Sequence, residues 1–220
     1  MTDMDKKQRT VQILRTLAEL YPEAGAELHF TNPFETLIAT ILSAQCTDKR
    51  VNMVTETLFR RYPDAQSLSE VQIEELEELI KPCGLYRMKA RHIIDACKAI
   101  SERYGGEVPR DRVALTSLPG VGNKTASVVL MAAYGEDVMP VDTHVFRLAH
   151  RLDLVENANT PDEVARQLTN LIPEGERGHA HHLLIWHGRR CCKAIKPECG
   201  RCPLRGELCG YKSGSQYVCR

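Results

Sequence analysis

The chain has 220 residues, of which 43% are hydrophobic, and its 29 basic and 29 acidic side chains give a formal net charge of zero. A chain of this length buries a substantial core, so its composition indicates a globular protein of one domain or two small lobes. Its most apolar stretch, ASVVLMAAY at 126–134, is much shorter than the roughly 20 residues that a membrane helix needs.

Hydrophobic residues recur with helical spacing along the whole chain, and we find no alternating strand pattern and no Asn-Gly hairpin. Asn32-Pro33-Phe34-Glu35 and Thr160-Pro161-Asp162-Glu163 each combine an N-cap, a proline at the first helical position and a glutamate at the third. Glycines at 84, 105, 106 and 135 lie where C-terminal caps belong. The pattern predicts an all-α fold, with further helices at about 6–20, 48–61, 69–80, 87–103, 111–117, 124–134, 143–152 and 178–190.

The charge is unevenly distributed although it sums to zero. Residues 81–103 carry six basic side chains against two acidic ones, and residues 187–212 carry seven against two. Each stretch is either a solvated helix face or a contact surface for a polyanion such as DNA. Charge alone does not decide between these interpretations.

The stretch LPGVGNKTASVV at 118–129 places a glycine-rich turn between two predicted helices. Gly120 and Gly122 permit positive φ and close backbone approach, and with Val121 they form a tight connection. Backbone amides at such a turn and at the following helix start bind phosphate without reading base sequence. The alternative is a simple glycine turn between two core helices.

Lys124 lies in the first turn of the helix that follows this connection. The positive end of the helix macrodipole disfavours the ammonium form there by a few tenths to about 1 kcal/mol, and partial burial would lower the pKa further. A neutral amine is a nucleophile that forms Schiff bases with carbonyl carbons. The more common fate of a lysine, contact with solvent or phosphate, remains open from the spacing alone.

Asp142 lies in the segment MPVDTHVFRLAHRL at 139–152, where either it or Thr143 occupies an N-cap position. A purely structural cap is one interpretation. The other is a carboxylate that helix amides keep ionised, close to a developing positive charge. The two roles are compatible.

Nine cysteines are present, and four of them crowd into 18 positions as Cys192-x6-Cys199-x2-Cys202-x6-Cys209. This uneven use is unlike a disulfide framework and suits a metal centre. Four thiolates hold either tetrahedral zinc or an iron-sulfur cluster, and the presence of one C-x-x-C pair favours the cluster. Cys191 is the nearest competing ligand. The histidines at 179, 181, 182 and 187 are expected on the helix surface or in the core, although they keep zinc open as an alternative.

Taken together, these motifs resemble the endonuclease III family, bifunctional DNA glycosylases of the helix-hairpin-helix superfamily. The resemblance covers nearly the whole chain. It is carried by the stretches FETLIATILSAQCTD (34–48), KPCGLYRMKARHI (81–93), LPGVGNKTASVVL (118–130), VDTHVFRLAHRL (141–152) and HGRRCCKAIKPECGRCPLRGELC (187–209). The hairpin lysine, the downstream aspartate and the four cysteines occur in the family's order.

The resemblance implies a two-lobed all-α fold with DNA bound in a cleft between the lobes. A six-helix barrel with the helix-hairpin-helix would span 26–136, and an iron-sulfur lobe would join 1–25 with 137–220. Lys124 matches the Schiff-base nucleophile and Asp142 the catalytic carboxylate. The four cysteines match the ligands of a [4Fe-4S] cluster, here Cys192, Cys199, Cys202 and Cys209.

Further DNA contacts follow from the same resemblance. Gln45 and Leu85 match residues that enter the duplex as the damaged nucleotide leaves. The Gln45 amide can hydrogen-bond to a base that has lost its partner, and the Leu85 side chain can act as an apolar wedge that unstacks a base step. The plain alternatives are that Gln45 is a polar residue at a helix end and that Leu85 makes a helix-staple contact. The hairpin residues Gly120, Val121 and Gly122 would grip phosphate. The cluster would hold basic residues such as Arg189, Arg190, Lys193 and Lys196 near the DNA backbone.

One departure from the family pattern concerns the last cysteine. The family's usual spacing there is five residues, whereas PLRGEL between Cys202 and Cys209 makes six. Gly206 helps this loop turn, so Cys209 is retained as the fourth ligand. Cys219, in the polar tail GYKSGSQYVCR, is an unlikely substitute.

The predicted function is therefore base-excision repair: removal of oxidised pyrimidines from duplex DNA, with strand cleavage through a lysine Schiff base. An adenine-specific monofunctional glycosylase shares the fold and cluster, but that family generally lacks the hairpin lysine. A non-catalytic helix-hairpin-helix module would leave Lys124 and Asp142 unexplained, and an electron-transfer protein would explain the cysteines only.

We expect a monomer without membrane contact, in a bacterial or archaeal cytoplasm because no signal-peptide core or transit-like extension precedes residue 6.

Overall fold

The computed structural model describes residues 3–211, with side chains from Lys6 onward. Cys219, which the sequence analysis rejects as a ligand, lies outside these residues. Within the described range the secondary structure consists of α-helices and two 3₁₀ turns (81–83 and 199–201) without a strand, so the all-α prediction is confirmed. None of these helices has the length and hydropathy that crossing a membrane requires. The helices are α1 (Asp3–Leu20), α2 (Pro33–Ser43), α3 (Asp48–Arg61), α4 (Ala65–Ser69), α5 (Ile73–Ile80), α6 (Tyr86–Tyr104), α7 (Arg112–Thr116), α8 (Asn123–Tyr134), α9 (Thr143–Arg151), α10 (Pro161–Leu171) and α11 (Arg177–Arg190).

The described chain divides into two compact units. The inner unit comprises residues 26–136 and contains α2 to α8. The terminal unit is formed by the residues up to 25 together with those from 137 onward, and it contains α1 and α9 to α11.

The inner unit is built on α2, a mostly apolar helix whose residues from Phe34 to Leu42, apart from Glu35, are all buried. Helix α2 packs against α8, α3 and α6. Fully buried aliphatic side chains from the surrounding helices, such as Leu58, Leu76 and Ile93, complete this core. Each contributes about 1.5–3 kcal/mol by leaving water.

The terminal unit has a core of its own in which α9 is central. Helix α9 packs against α11 and α10, and Val145, Leu148 and Leu152, which repeat at helical spacing, are buried in this core. Leu204, from the loop that carries the cysteines, is also fully buried in this core. That insertion anchors the middle of the cysteine loop to the helices below it.

Helix starts follow the predicted capping chemistry. The Asn32 side chain accepts a 2.9 Å hydrogen bond from the Glu35 amide. Thr160 and Glu163 form a reciprocal capping box, in which the Glu163 carboxylate accepts the Thr160 amide at 2.9 Å. Such caps typically contribute about 1 kcal/mol each.

The helix predicted at about 69–80 forms as α5 but begins later, at Ile73, with Gln72 as its N-cap. The short helix α4, which ends at Ser69, was not predicted. Asp64 starts α4 by accepting the Ser67 amide at 2.8 Å. The Pro63-Asp64 pair is a usable helix-start signal that the periodicity argument overlooked.

Candidate active site and metal centre

The hairpin between α7 and α8 is held by its own apolar residues. Leu118 and Val121 are buried, and the Val121 amide donates to the Leu118 carbonyl at 3.1 Å. Gly120 has a φ of +76°, and a Cβ at this position would lie 2.8 Å from the Cβ of His92 on α6. Both the backbone conformation and the close approach to α6 therefore require glycine.

Gly122 is the N-cap of α8, and as a glycine it offers no side chain to cap this helix start. Lys124 is the second residue of α8 and is exposed, whereas the sequence analysis allowed for partial burial. The first turn of α8 carries no acidic side chain. Lys124 thus belongs to a helix N-terminus that favours an anion over a second cation.

Asp142 is the N-cap of α9, as predicted, and its Oδ1 accepts the Val145 amide at 2.8 Å. Asp142 is half-buried. The pKa of His144 is lowered, mainly by burial and further by the guanidinium groups of Arg147 and Arg189, while Asp142 raises it. The capping role of Asp142 is therefore present in the fold, and a catalytic role remains a proposal.

Gln45 and Leu85 are both exposed residues of the inner unit, in turns that lie next to helix ends. Gln45 follows the end of α2 with a φ of +53°, and Leu85 is the N-cap of α6 with a φ of +49°. Residues other than glycine rarely adopt this left-handed conformation. Gln45 and Leu85, which the resemblance names as residues that enter the duplex, therefore both have an unusual backbone conformation.

Lys89 belongs to neither interpretation offered for the basic stretch 81–103, a solvated helix face or a contact surface for a polyanion. Its side chain is only 2% exposed, and its ammonium donates hydrogen bonds to three backbone carbonyls instead of facing solvent. Lys81 is exposed and forms an ion pair with Glu78 at 2.9 Å. This stretch therefore offers less positive charge to a polyanion than its composition indicates.

The four predicted metal ligands come from a single loop that follows α11, and all four are half-buried. The pKa of Cys209 is raised by burial and, to a smaller extent, by the sulfurs of Cys192, Cys202 and Cys199, while a backbone hydrogen bond with Tyr211 lowers it. Within the longer spacing between Cys202 and Cys209, Gly206 has a φ of +107° and its carbonyl accepts the Cys209 amide at 3.3 Å. This soft donor set fits an iron-sulfur cluster.

A second donor group overlaps the first. One potential ligand atom from each of His187, Cys191 and Cys202 lies within 4.8 Å of the others. The Nε2 of His187 is 3.5 Å from the Cys202 sulfur, and its Nδ1 hydrogen-bonds with the Tyr21 hydroxyl at 3.1 Å. Burial lowers the pKa of His187 to about 4. A neutral imidazole beside two thiols is also a zinc-type donor set.

Two arginines of α9 hold the cysteine loop, and the sequence analysis did not assign them. Arg147 donates to the Gly188 carbonyl at 2.9 Å and to the Cys192 carbonyl at 3.0 Å. Arg151, one turn later, donates to the Lys193 carbonyl at 2.7 Å and lies 3.4 Å from the Cys192 sulfur. Both are buried. The sequence did contain a signal for this role, since the two arginines lie four positions apart on a helix that otherwise faces the core.

Arg189 and Lys193 are exposed, near the end of α11 and on the cysteine loop. Lys193 forms an ion pair with Glu198 at 2.5 Å, and Arg201 pairs with the same carboxylate. Part of the positive charge predicted for DNA contact is therefore balanced within the loop.

Comparison with known proteins places this geometry in a family. The sequence pattern of the HhH-GPD superfamily of base excision DNA repair proteins matches residues 38–174. Endonuclease III of Synechocystis is 48% identical over 205 residues, covering 93% of each chain. Endonuclease III of Bacillus subtilis is 47% identical and covers 87% of each. The chain belongs to the endonuclease III family.

A solved structure of a trapped covalent intermediate between an endonuclease III and DNA is also similar. It superposes with a TM-score of 0.88 at 46% identity and covers 93% of this chain and 95% of that one. The resemblance deduced from the sequence motifs is thus confirmed over nearly the full length. The endonuclease III family membership also accounts for the order of hairpin lysine, aspartate and cysteines along this chain.

Proposed function

We propose that this protein is a DNA glycosylase with abasic-site lyase activity, acting in base-excision repair on oxidised pyrimidines in duplex DNA. One observation carries the proposal: Lys124 lies exposed in the first turn of α8, directly after a glycine-dependent hairpin, in a chain similar to an endonuclease III that was trapped covalently on DNA. An exposed amine is reachable by a sugar carbon. The helix N-terminus beside it suits the phosphates that flank that sugar.

The first step is extrusion of the damaged nucleotide. A base inside a duplex hides its C1′ carbon, and unstacking costs a few kcal/mol, least where pairing is already damaged. We assign Leu85 as the wedge and Gln45 as the partner of the orphaned base. The exposure of both residues supports this assignment. Gly120, Val121 and Gly122 would hold the adjacent phosphate through backbone amides.

The second step is nucleophilic substitution at the sugar. The unprotonated Lys124 nitrogen bonds to C1′, the C1′–N bond to the base breaks, and the base leaves with the electron pair and takes up a proton. The nitrogen loses its proton and the sugar ring opens, which gives an iminium ion. That ion acidifies C2′, so a C2′ proton is lost and the C3′–O bond breaks, releasing the 3′ phosphate. A water nucleophile provides no such intermediate, and a lysine therefore implies lyase activity.

Asp142 is assigned the stabilisation of positive charge that develops on the sugar, or assistance in proton transfer. Its position as an N-cap supports the assignment, because the hydrogen bond from the Val145 amide holds the carboxylate at the start of α9. The cap also fixes the side-chain orientation.

For the metal centre we propose a [4Fe-4S] cluster held by Cys192, Cys199, Cys202 and Cys209. Their common position on one loop, the half-burial of all four and the guanidinium of Arg151 near the Cys192 sulfur support this ligand set. When bound, such a cluster would cross-link the loop and hold its basic residues in place. Accordingly we propose that residues 26–136 form the barrel lobe, and that 1–25 with 137–220 form the cluster lobe.

Borohydride trapping tests the nucleophile. The reagent reduces an iminium to a stable amine, so the wild type incubated with a duplex containing one oxidised pyrimidine or abasic site should form a covalent adduct. Lys124→Ala should form none while keeping its circular dichroism spectrum. An equal yield of adduct from the folded variant would place the nucleophile elsewhere and overturn the proposal.

Measurement of iron and sulfide content tests the cluster, and the adjacent residues Cys191 and Cys192 provide a matched pair of variants. Anaerobically purified Cys192→Ser should lose iron, whereas Cys191→Ser should retain it, because Cys192 is the proposed ligand. Zinc without iron in the wild type would instead support the donor set of His187, Cys191 and Cys202. Iron loss in Cys191→Ser alone would show that the neighbouring residue is the ligand.

The adenine-specific alternative is less well supported, because Lys124 has no role in a monofunctional mechanism. Release of adenine from a mismatch without strand cleavage would favour it.

For the cellular location we propose a bacterial cytoplasm, where chromosomal DNA lies. The bacterial origin of the similar endonucleases supports this.

A further inference from the structure

Lys89, a residue of α6, is buried and makes an unusually complete set of hydrogen bonds. Its Nζ donates to the carbonyls of Leu42 at 2.8 Å, Ala44 at 2.7 Å and Cys83 at 2.8 Å. Lysine is almost never fully buried without partners, and an ammonium has three N–H groups. Each N–H group of Lys89 thus has one acceptor.

The three carbonyls come from the two turns that carry Gln45 and Leu85. Leu42 lies in the last turn of α2, and Ala44 is its C-cap, directly before Gln45. Cys83 ends the 3₁₀ turn at 81–83, two residues before Leu85. Carbonyls at helix ends carry partial negative charge and are suited to a cation. One ammonium therefore joins two turns that are about 40 residues apart in the sequence.

Both turns hold a residue that needs such support. Gln45 and Leu85 have φ values of +53° and +49°. For residues other than glycine this conformation costs of order 1–3 kcal/mol and persists only where the surroundings enforce it. Hydrogen bonds to the carbonyls just before each residue fix the direction from which the chain enters the turn.

Lys89 is not a second nucleophile. Burial lowers the pKa of its ammonium, which the thiols of Cys46 and Cys83 partly oppose. Three carbonyl oxygens nevertheless surround its nitrogen at hydrogen-bond distance, and the side chain is inaccessible to DNA. Its contribution to the reaction must pass through the turns it binds.

We propose that Lys89 is a positioning residue, whose ammonium holds the turns of Gln45 and Leu85 in register so that both side chains enter the duplex together. This inference rests on the proposed function, which assigns those two residues to the extruded-nucleotide site. It adds to the site a residue that affects base excision without contacting DNA.

The test compares a duplex with a single strand. A preformed abasic site in a single-stranded oligonucleotide has no opposite base and no stack to wedge, so its cleavage requires Lys124 but not the two turns. Lys89→Met keeps the apolar stem and removes all three donors. We expect single-turnover base excision from duplex DNA to fall by about 10- to 100-fold, as for other small misplacements of reacting groups. Cleavage of the single strand should stay within about two-fold of the wild type.

A control variant separates this effect from loss of stability. Ile100→Ala truncates a fully buried side chain about three turns further along α6, and it should lower the melting temperature without changing the ratio of the two activities. An equal loss of both activities in Lys89→Met, or no loss of either, would overturn the proposal. Lys89→Gln, which keeps two N–H donors, serves in the same assay if Lys89→Met does not fold.

Double variants identify the route of the effect. If Lys89 acts through the two turns, Lys89→Met should add little to the defect of a Gln45→Ala, Leu85→Ala variant. Fully multiplicative defects would show that Lys89 acts independently of them and would refute its positioning role. A wild type that cleaves neither substrate would instead refute the proposed function, so the two failures are distinguishable.

Discussion

Two lysines of the inner unit show how position decides the chemistry of the same side chain. Lys89 is buried and satisfied by three carbonyls, whereas Lys124 is exposed at the start of α8. Burial is often taken as the sign of a reactive lysine, since it lowers the pKa. Attack on a macromolecular substrate also requires access, and Lys124 alone of the two has it.

Asp142 combines a structural and a proposed catalytic role, and two substitutions separate them. Asparagine caps a helix about as well as aspartate, but it carries no charge. We therefore expect Asp142→Asn to keep its stability while single-turnover base excision slows by about 10²-fold or more, within the usual range for a general acid or base. Asp142→Ala should lose the same activity and also about 1 kcal/mol of stability with its cap. An unchanged excision rate in Asp142→Asn would leave the residue with its capping role only.

At the scale of elements, the α7–α8 hairpin depends on one glycine more than on the other. Gly120→Ala would force an alanine to a φ of +76° and place its Cβ 2.8 Å from that of His92. We expect a loss of about 1–3 kcal/mol in urea unfolding, together with weaker DNA binding. Gly122→Ala is the matched control, because Gly122 has a negative φ and open space around it. Its loss should be smaller, and equal losses would contradict the strain argument.

Helix α11 makes the stability of the terminal unit sensitive to pH. Burial lowers the pKa of His182, and the neighbouring His179 lowers it further. In the unfolded chain His182 takes up a proton near pH 6.5, about the ordinary pKa of histidine. In the folded chain it takes up that proton only at lower pH. The free energy of unfolding should therefore be greatest above pH 6.5 and fall as the pH is lowered. Urea titrations at several pH values should show a smaller fall for His182→Gln, whereas parallel profiles would contradict this.

Support for the cysteine loop comes from a helix outside it. Arg147 and Arg151 of α9 bind carbonyls on both sides of the first cysteines, and Leu204 anchors the middle of the loop in the core. Such long-range contacts fix the backbone of the loop on both sides of Cys192.

For the whole molecule, net charge is a poor guide to DNA binding. The formal charge is zero, yet binding should weaken steeply with salt, because each phosphate contact displaces counterions and adds about −0.9 to the slope of log K against log salt. Lys193→Ala should reduce that slope by at most about one, since this lysine is shared with Glu198. A salt-independent affinity, measured by fluorescence anisotropy, would contradict a phosphate-based interface.

Several features at this scale could be predicted from local patterns. The caps at Asn32, Thr160 and Asp142 formed as expected because a cap needs only residues three positions apart. Helix α4 was missed and α5 was predicted to begin too early, since the apolar period continues through the break between them. The burial of Lys89 was also missed, because its partners lie 6 to 47 residues away.

The sequence by itself determined the helical class, the hairpin, the order of the lysine, aspartate and cysteines, and through them the family. These depend on composition and short spacings, which are local properties of the chain. Only the tertiary structure decided that Lys89 holds two turns together, that Gln45 and Leu85 adopt left-handed backbone conformations, and that His187 approaches the cysteines. Such features arise from contacts between distant segments, and packing selects those contacts only when the core has formed.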